Sequence, residues 1–524
     1  MRSFLVVAIV LTAVCSMADA DPVRVTGGLI EGGTDGEARV YRGIPFAAPP
    51  VDELRWQPPQ PVIAWDGVKQ TTEFCADCAQ LSYPEGSFYS RPARPTSEDC
   101  LALNVWTEAK SGDKRPVMVW IHGGALTRGS GAISTYNGAA LAKKGVVLVT
   151  VNYRLGPFGY LAHPELTTES PRGASGNYGV LDQVAALEWV QENIATFGGN
   201  PDRVTIFGES AGSWSVCALV ATPLSKGLFH GAIGQSGGIF GHTPDLKQER
   251  FGEKSAEQVG VEFAEALGAD ALSEMRARSA DQVIETFATT GRGFRTRGTV
   301  DGWVFPEEIR TLYAKGLQMD VPVIVGSNAN EMSSLTPRAA LPKSADAYRT
   351  QVEAQYGALS DEFFKVYPVT DDASAVRAAL ASGRDQVFSW QMRSWARATA
   401  TVSSDAYLYY FTRVPPIPDS EYYGAFHAAE IAYAFANLHL SDRPYTEMDH
   451  RLSEQVSSYW TNFAATGNPN GRDGAGNELV LWAPYSEVEE AYIELGATVQ
   501  GGQKLLKKEN DFIGRTVEAR YGAP

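Results

Sequence analysis

Short apolar segments alternate along the chain with stretches of helical periodicity. Four β-branched segments each end in a turn, and they comprise residues 117–121, 146–151, 203–207 and 321–325. A fifth segment, at 407–411, is aromatic. Between them, residues such as Val180, Val184, Leu187 and Ile194 return to one face at helical spacing. Strands that alternate with helices predict an α/β fold with a large, mixed and mainly parallel central sheet flanked by helices.

The organisation of the chain directs attention to the ends of these strands. Its length of 524 residues would by itself predict about three or four domains. However, no repeat, low-complexity tract or visible linker divides the sequence. In open sheets of parallel strands, ligands bind beyond the carboxyl ends of the strands. The residues that follow each predicted strand are therefore the first candidates for chemistry.

Composition narrows the class of protein. Hydrophobic residues make up 44% of the chain and charged residues 20%, which suits a large core and argues against disorder. The chain carries 45 Lys and Arg against 61 Asp and Glu, a net charge of -16. Most of its surface would repel nucleic acid or an anionic membrane, so we expect no nucleic-acid partner. The charge fits a neutral or cationic small molecule better than an anion.

The first twenty residues differ from the rest. Arg2 is the sole charge before an apolar run at 4–14, and Ala18-Asp19-Ala20 has the small-x-small pattern of a signal-peptidase site. We expect residues 1–20 to be a signal peptide, cleaved near Ala20. The mature protein would then be secreted or periplasmic.

A membrane anchor is the alternative interpretation of this segment. A lipid anchor at Cys15 would favour a small residue at the preceding position, which Val14 occupies. The apolar run is also too short to span a bilayer, which takes about 20 residues. No later stretch is long and apolar enough, so we expect no membrane span.

The strand predicted at 203–207 leads into Gly208-Glu209-Ser210-Ala211-Gly212, which has the pattern Gly-x-Ser-x-Gly. In this pattern a strand turns sharply into a helix and holds the serine at the apex in a strained conformation. A helical apolar stretch follows at 213–220. We therefore interpret Ser210 as a nucleophile, whose developing negative charge the helix N-terminus would stabilise.

A serine hydroxyl needs a base to take its proton. α/β-Hydrolases, which use this serine turn, order their reactive residues as serine, acid and histidine. That order leaves His427, His439 and His450 among the seven histidines of the chain. His427 follows the predicted strand at 407–411 and a Pro-rich turn, so it is the favoured base. His439 and His450 are expected to be exposed or at helix ends.

The acid is expected after the strand predicted at 321–325. Glu331 is the first carboxylate beyond that strand. It would orient His427 and stabilise the imidazolium that forms when Ser210 attacks. Asp301 is a rival, but it follows no comparable strand.

A loop of small residues follows the strand predicted at 117–121. Its sequence is His122-Gly123-Gly124-Ala125. Small residues let backbone N–H groups approach the oxyanion of a tetrahedral intermediate. We expect the oxyanion hole to consist of Gly123, Gly124, Ala125 and Ala211. His122 is expected to brace the loop rather than to act in catalysis.

Export would permit disulfides in the mature chain, which keeps Cys75, Cys78, Cys100 and Cys217. Cys75 and Cys78 have the spacing of a redox or zinc pair, but no second Cys or His pair follows. The sequence therefore points to no metal, and no motif predicts an organic cofactor. Cys217 lies in an apolar segment and is expected to be a buried packing thiol.

These residues lie within longer stretches that resemble the type-B carboxylesterase family, which includes the cholinesterases and bile-salt lipases. Residues 197–212 look like the family's serine signature throughout. Residues 98–106 look like its second signature, with Ala102 where Tyr or Thr is usual. Further similarity lies at 41–47, 152–156, 326–331 and 427–430.

The resemblance extends over about residues 27–485 and implies one α/β-hydrolase domain at 21–524, with catalytic loops at the carboxyl ends of the strands. It implies hydrolysis of small-molecule carboxylic esters through an acyl-enzyme, with a triad of Ser210, Glu331 and His427. No cofactor is implied.

Two further features are implied by the same resemblance. A disulfide at Cys100 is implied, and the family's partner cysteine is followed by one residue and then Gln, which matches Cys78-Ala79-Gln80 better than it matches the alternative, Cys75. Ser236 matches a family serine that supports the triad, although by itself it is equally a structural hydroxyl.

Other functions share parts of this pattern. An amidase or peptidase would use the same triad on a poorer leaving group. A non-catalytic family scaffold is disfavoured because the triad residues and the glycine loop are all present. Five aromatic residues either line the substrate cavity or belong to the core: Phe158, Trp214, Trp303, Phe305 and Phe435. No pattern indicates an oligomeric state.

Overall fold

The computed structural model describes residues 22–290 and 297–524. The predicted signal peptide at 1–20, with its cleavage site near Ala20, lies outside the described residues. An eleven-stranded sheet forms the centre of the fold. In chain order its strands are β1 (Gly33–Asp35), β2 (Ala38–Pro45), β3 (Ala102–Thr107), β4 (Arg115–Ile121), β5 (Val147–Val151), β6 (Gly199–Glu209), β7 (Gly231–Gln235), β8 (Val323–Asn328), β9 (Ala406–Phe411), β10 (Ala491–Leu495) and β11 (Val499–Gln503).

The strand order across the sheet is β11-β10-β9-β8-β7-β6-β4-β5-β3-β2-β1. All neighbours from β5 to β10 pair in parallel. Both edges are antiparallel, through β10 with β11 on one side and β5, β3, β2 and β1 on the other. The mixed, mainly parallel sheet expected from the sequence is confirmed. Its strands β4, β5, β6, β8 and β9 overlap the five predicted segments.

Helices flank this sheet. The α-helices of the described chain are Ala139–Lys143, Gly156–Tyr160, Pro164–Glu169, Tyr178–Asn193, Ala211–Ala221, Ala256–Leu267, Leu272–Ala277, Ala280–Thr290, Ile309–Ala314, Met332–Leu335, Ala345–Tyr356, Ser360–Val366, Asp372–Arg384, Trp390–Thr399, Ser420–Tyr423, Ile431–Ala434, Glu447–Thr466 and Lys507–Tyr521. Among these helices, none has both the length and the apolar character that crossing a membrane requires.

The core lies on both faces of the sheet, because successive residues of a strand point to opposite sides. Along β4, Val119 and Ile121 join a buried cluster with residues of the helices Tyr178–Asn193 and Ala211–Ala221. Trp120, between them, joins the opposite cluster with residues of the helix Glu447–Thr466. Burial on both faces explains why the strands read as continuous apolar runs in the sequence.

The carboxyl ends of β6, β7, β8 and β9 lie side by side because these neighbouring strands are parallel. Ser210 and Ser236 directly follow β6 and β7. Glu331 follows β8, and His427 lies in the segment after β9. The topology therefore brings residues from four separate parts of the sequence to one edge of the sheet.

Two smaller sheets lie outside the central one. One contains Val23–Val25, Gly28–Glu31 and Val68–Gln70, and the other pairs Asp77–Cys78 with Thr96–Ser97. A disulfide joins Cys78 to Cys100, with an S–S distance of 2.10 Å. Cys75 is a half-buried free thiol and Cys217 a buried one.

Candidate active site

The serine turn connects β6 to the helix Ala211–Ala221. Ser210 has φ 58° and ψ -120°, a left-handed conformation that residues other than glycine avoid. Its N–H donates to the carbonyl of Gln235 at the end of β7, 2.8 Å away. A Cβ at Gly212 would lie 2.0 Å from the carbonyl oxygen of Ile121, so glycine is needed where the helix approaches β4. The backbone is therefore strained at the candidate nucleophile.

His427 and Glu331 meet in a buried contact. The Nδ1 atom of His427 lies 2.6 Å from Oε2 of Glu331, and both side chains are buried. The other carboxylate oxygen of Glu331 accepts hydrogen bonds from Oγ of Ser236 at 2.6 Å and from the N–H of Asn328 at 2.7 Å. Together these contacts hold the carboxylate in one orientation. The structure thus brings together the acid, the base and the supporting serine expected from the sequence.

A second carboxyl group, on Glu209, lies against the other ring nitrogen of His427. Its Oε1 is 3.1 Å from Nε2, although the two groups are not aligned for a hydrogen bond. Burial raises the pKa of Glu209, and the charge of His427 opposes that rise. In the sequence, Glu209 is only a variable position of Gly-x-Ser-x-Gly. The signal that could have identified it is a charged residue at the end of a buried strand.

A third carboxyl group completes this cluster. Glu430 is buried, and it accepts hydrogen bonds from Nε2 of Gln235 at 3.0 Å and from Nδ2 of Asn328 at 2.5 Å. Burial and the charge of Glu331 raise its pKa. For the imidazole of His427, burial lowers the pKa, but the charges of Glu209 and Glu331 outweigh burial and the net shift is upward.

The glycine loop after β4 passes close to Ser210. A Cβ at Gly123 would lie 2.6 Å from the carbonyl oxygen of Glu209 and 3.1 Å from Cβ of Ser210. Within the described chain, the N–H groups of Gly123, Gly124 and Ala125 donate to no acceptor. These groups are therefore available to an oxygen atom bound near the serine.

The shape of this loop depends on local strain and on a tight turn. Ala125 and Leu126 have φ values of 57° and 58°. The N–H groups of Thr127 and Arg128 both donate to the carbonyl of Gly124 at 3.1 Å. At the other side of the site, the N–H of Ala211 is the first of its helix and has no intrahelical acceptor.

His122 holds the start of the loop in place. Its Nδ1 lies 2.8 Å from the carbonyl oxygen of Gly123. The hydroxyl of Tyr153 donates to the carbonyl of His122 at 2.7 Å, and the two rings stack with centroids 4.5 Å apart. Burial lowers the pKa of His122 to about 4, so the ring is neutral at pH 7. These contacts brace the loop.

Ser210, His427 and the glycine loop line one cavity of about 340 Å³. Tyr83, Tyr89 and Tyr136 add aromatic surface to it. These tyrosines were not predicted as site residues, because two of them lie in a loop without regular periodicity. Five other aromatic residues were candidates for the cavity lining, and among the described residues that line the cavity none of the five is present. They pack in or against the core instead: Phe158, Trp214, Trp303, Phe305 and Phe435.

The alternative candidates for the acid and the base lie in environments that do not suit these roles. Asp301 accepts hydrogen bonds from Nδ2 of Asn177 at 2.9 Å and from the N–H of Trp303 at 2.9 Å, so it organises its own loop. His439 and His450 are exposed. Over residues 22–290 and 297–524, no group of three or more His, Cys, Asp or Glu could hold a metal ion.

The central sheet, with its serine turn at the end of a middle strand, defines an α/β-hydrolase. The model of the carboxylesterase family matches residues 19–513, and the chain belongs to this family. It is 38% identical to fumonisin B1 esterase of Sphingopyxis macrogoltabida, over 89% of this chain and 86% of that protein. It is 33% identical to para-nitrobenzyl esterase of Bacillus subtilis (strain 168), over 93% of this chain and 97% of that protein.

A solved structure of a PNB esterase has the same fold, with a TM-score of 0.79 and 31% sequence identity. The match covers 94% of this chain and 99% of that one. The protein is accordingly an enzyme that hydrolyses carboxylic esters.

Proposed function

We propose that Ser210 is the nucleophile, His427 the general base and Glu331 the orienting acid of this ester hydrolase. The observation that carries the proposal is the 2.6 Å contact between His427 Nδ1 and Glu331 Oε2, beside a cavity that Ser210 and His427 both line. A carboxylate on Nδ1 fixes the tautomer in which Nε2 accepts a proton. The strained backbone of Ser210 supports the same assignment.

The reaction has two halves. In the first, Oγ of Ser210 attacks the ester carbonyl carbon while its proton passes to Nε2 of His427. The tetrahedral intermediate then collapses, the proton passes to the departing alcohol, and an acyl-serine remains. In the second half, water gives a proton to Nε2 as its oxygen attacks the acyl carbon. Collapse of this second intermediate returns the proton to Ser210 and releases the carboxylic acid.

Backbone N–H groups stabilise the negative charge on the carbonyl oxygen in both intermediates. Among the described residues, the N–H groups of Gly124 and Ala125 have no acceptor, and they follow Gly123, which lies against the serine turn. The proposed oxyanion hole comprises the N–H groups of Gly123, Gly124, Ala125 and Ala211. Ser236 is a positioning residue, since its hydroxyl donates to Glu331, the carboxylate that contacts His427.

Covalent labelling tests the assignment. A fluorophosphonate should attach to Ser210 with one equivalent per chain and abolish activity, because an activated serine reacts with it. Ser210→Ala should take up no label and lose about a thousandfold or more in kcat. His427→Ala should also prevent labelling, whereas the exposed His439 and His450 serve as matched controls when replaced by Ala. Full labelling of Ser210→Ala, or equal losses in all three histidine variants, would contradict the triad.

The leaving group distinguishes an esterase from an amidase with the same triad. We expect an alkyl or aryl ester to be hydrolysed much faster than the anilide of the same acid, because an amine must be protonated before it departs. The two substrates are compared with purified enzyme at one pH. A faster rate on the anilide would identify an amidase or peptidase instead.

We further propose that the protein is exported. The disulfide between Cys78 and Cys100 supports this, because such bonds persist in oxidising compartments. N-terminal sequencing of the protein from a secreted or periplasmic fraction should begin at Asp21, the residue after the expected cleavage site. Recovery with an intact N-terminus from the cytoplasm alone would contradict export.

A further inference from the structure

Two arginine side chains line the cavity of Ser210 without a carboxylate partner. Arg91 and Arg128 both contribute to its wall. Among the described residues, no Asp or Glu lies within ion-pair distance of either guanidinium. Arg128 is half-buried and Arg91 is exposed. The cavity of Ser210 therefore has two guanidinium groups in its wall that no carboxylate of the described residues pairs with.

Both cations lie near the ring of Tyr83, another residue of the cavity lining. The guanidinium carbon of Arg128 lies 5.0 Å from the ring centroid of Tyr83, and that of Arg91 lies 5.7 Å from it. Arg128 also closes the turn of the glycine loop, through its N–H to the carbonyl of Gly124. A charge at Arg128 is thus tied to the loop that carries the proposed oxyanion donors.

Positive charge is also present next to this cavity. Arg91 also lines an adjoining cavity of about 240 Å³, together with Arg443. Burial raises the pKa of Glu209, and the charge of Arg91 is among those that oppose this rise, so it acts on a residue of the site. Burial lowers the pKa of Arg128, as expected for a cation that is partly removed from water without a counterion.

This arrangement opposes the charge of the whole chain. A net charge of -16 repels anions over most of the surface, and by itself it favours a neutral or cationic substrate. The lining of the Ser210 cavity instead favours an anion, because it includes Arg91 and Arg128. Its one acidic lining residue is Glu209, whose carboxyl group faces His427. A neutral ester would leave both guanidinium groups without a counterion.

We propose that the substrate is an ester that carries a separate ionised carboxylate, which Arg128 and Arg91 bind while Ser210 attacks the ester carbonyl. This inference rests on the proposed function of Ser210 and specifies its substrate class. The planar fork of a guanidinium matches the two oxygens of a carboxylate and orients it as well as attracting it. The reacting ester is thereby positioned through a group that takes no part in the reaction.

Two matched substrate pairs test the proposal. In 4-acetoxybenzoate and 4-acetoxybenzamide, the charged or neutral group lies in the alcohol part. In monomethyl adipate and its monoamide, it lies in the acyl part. We expect kcat/KM to favour the carboxylate in at least one pair by about tenfold or more, the effect of one hydrogen bond to a charged group. The preference should fall as ionic strength rises.

Variants assign that preference to the two arginines. Arg128→Gln and Arg91→Gln should each reduce the carboxylate-to-amide ratio of kcat/KM by about tenfold, mainly through KM. Arg128→Lys should keep part of the preference, because it retains the charge and loses the fork. The matched control is Arg172→Gln, which removes an exposed arginine stacked 5.6 Å from Trp303 and outside the cavity lining. Its ratio should equal that of the wild type.

Failure of this inference can be distinguished from failure of the proposed function. Hydrolysis of the ester bond in the two substrates that carry an amide group, and labelling of Ser210 with one equivalent, report on the triad and on folding whatever the carboxylate-to-amide ratio is. If both pairs give ratios near one, or if the ratio is unchanged in Arg128→Gln and Arg91→Gln, the inference is overturned. If the esters that carry an amide group are still hydrolysed by Ser210→Ala, the proposed function itself fails.

Discussion

His427 and Glu331 are separated by 96 residues in the sequence, yet Nδ1 of the histidine lies 2.6 Å from a carboxylate oxygen of the glutamate. The other oxygen of Glu331 is occupied by Ser236 and by the N–H of Asn328. The carboxylate therefore has little freedom to turn away from the imidazole, which is the condition for fixing a tautomer.

Replacing Glu331 should greatly reduce the rate of hydrolysis and should change the stability of the fold little. Glu331→Gln keeps the shape of the side chain but presents an amide to Nδ1, so we expect kcat to fall about a thousandfold to ten-thousandfold. Asp301→Asn is the matched control, because Asp301 contacts Asn177 and its own loop rather than His427. Steady-state kinetics on one ester compare the two. Similar losses in both variants would remove Glu331 from its assigned role.

The dependence of activity on pH should reflect the carboxyl groups around His427. The histidine must be neutral to accept the Ser210 proton, so kcat/KM rises with pH through its pKa. Glu209 and Glu331 stabilise the charged imidazole and raise that pKa, which places the midpoint above the ordinary value of about 6.5.

Glu209→Gln removes one of these charges and should move the midpoint to lower pH by about one unit. The profile is measured on a neutral ester at constant ionic strength. Glu249→Gln, at an exposed position outside the cavity lining, should leave the midpoint unchanged. An unchanged midpoint in Glu209→Gln would show that the charge of Glu209 does not act on the base, and a shift to higher pH would contradict the expected sign of its effect.

The glycine loop should tolerate no side chain at its first glycine. In Gly123→Ala the new Cβ would lie 2.6 Å from the Glu209 carbonyl oxygen and 3.0 Å from its carboxylate. The loop must shift, and we expect kcat to fall about a hundredfold, as when one oxyanion donor is lost. Gly241→Ala is the control, because nothing lies within 4 Å of its Cβ. Near-normal rates in Gly123→Ala would argue against close contact between loop and serine.

The disulfide should contribute to stability independently of catalysis. Cys100→Ser opens the loop that ends at Cys78 and should lower the free energy of unfolding by about 3 kcal/mol. Cys100 is the residue to replace, because a free thiol lies near it: Sγ of Cys75 is 3.9 Å from the carbonyl oxygen of Cys100. Urea unfolding measures the change. Cys75→Ser should have little effect, and an equal loss there would point to packing rather than to the bond.

The sequence predicted the structure well where a local pattern of residue types is compatible with one conformation. The apolar runs predicted β4, β5, β6, β8 and β9 because strands buried on both faces contain few polar positions. The Gly-x-Ser-x-Gly turn marked Ser210 because close backbone contact requires glycine at Gly212. The strand ends then directed attention to Glu331 and His427.

The sequence was less informative where a role depends on the meeting of distant segments. Glu209 and Glu430 are ordinary residues in the sequence, and their effect on His427 arises when three loops converge. Arg91 and Arg128 follow no periodic pattern, so their position in one cavity could not be predicted. Net charge favours a neutral or cationic substrate and the proposed arginine site an anionic one, because a sum over the chain carries no information about where charges lie.

Strands β6 to β9 are neighbours in the sheet and follow one another in the chain, and this matters during synthesis. A growing polypeptide leaves the ribosome with its reactive groups in sequence: the serine, then the carboxylate, and finally the imidazole. If the proposed triad is correct, the nascent chain holds an unactivated serine until residue 427 has emerged and the segment after β9 has folded back. Chains that end before residue 427 would then be inactive, and titration of the reactive serine would not count them.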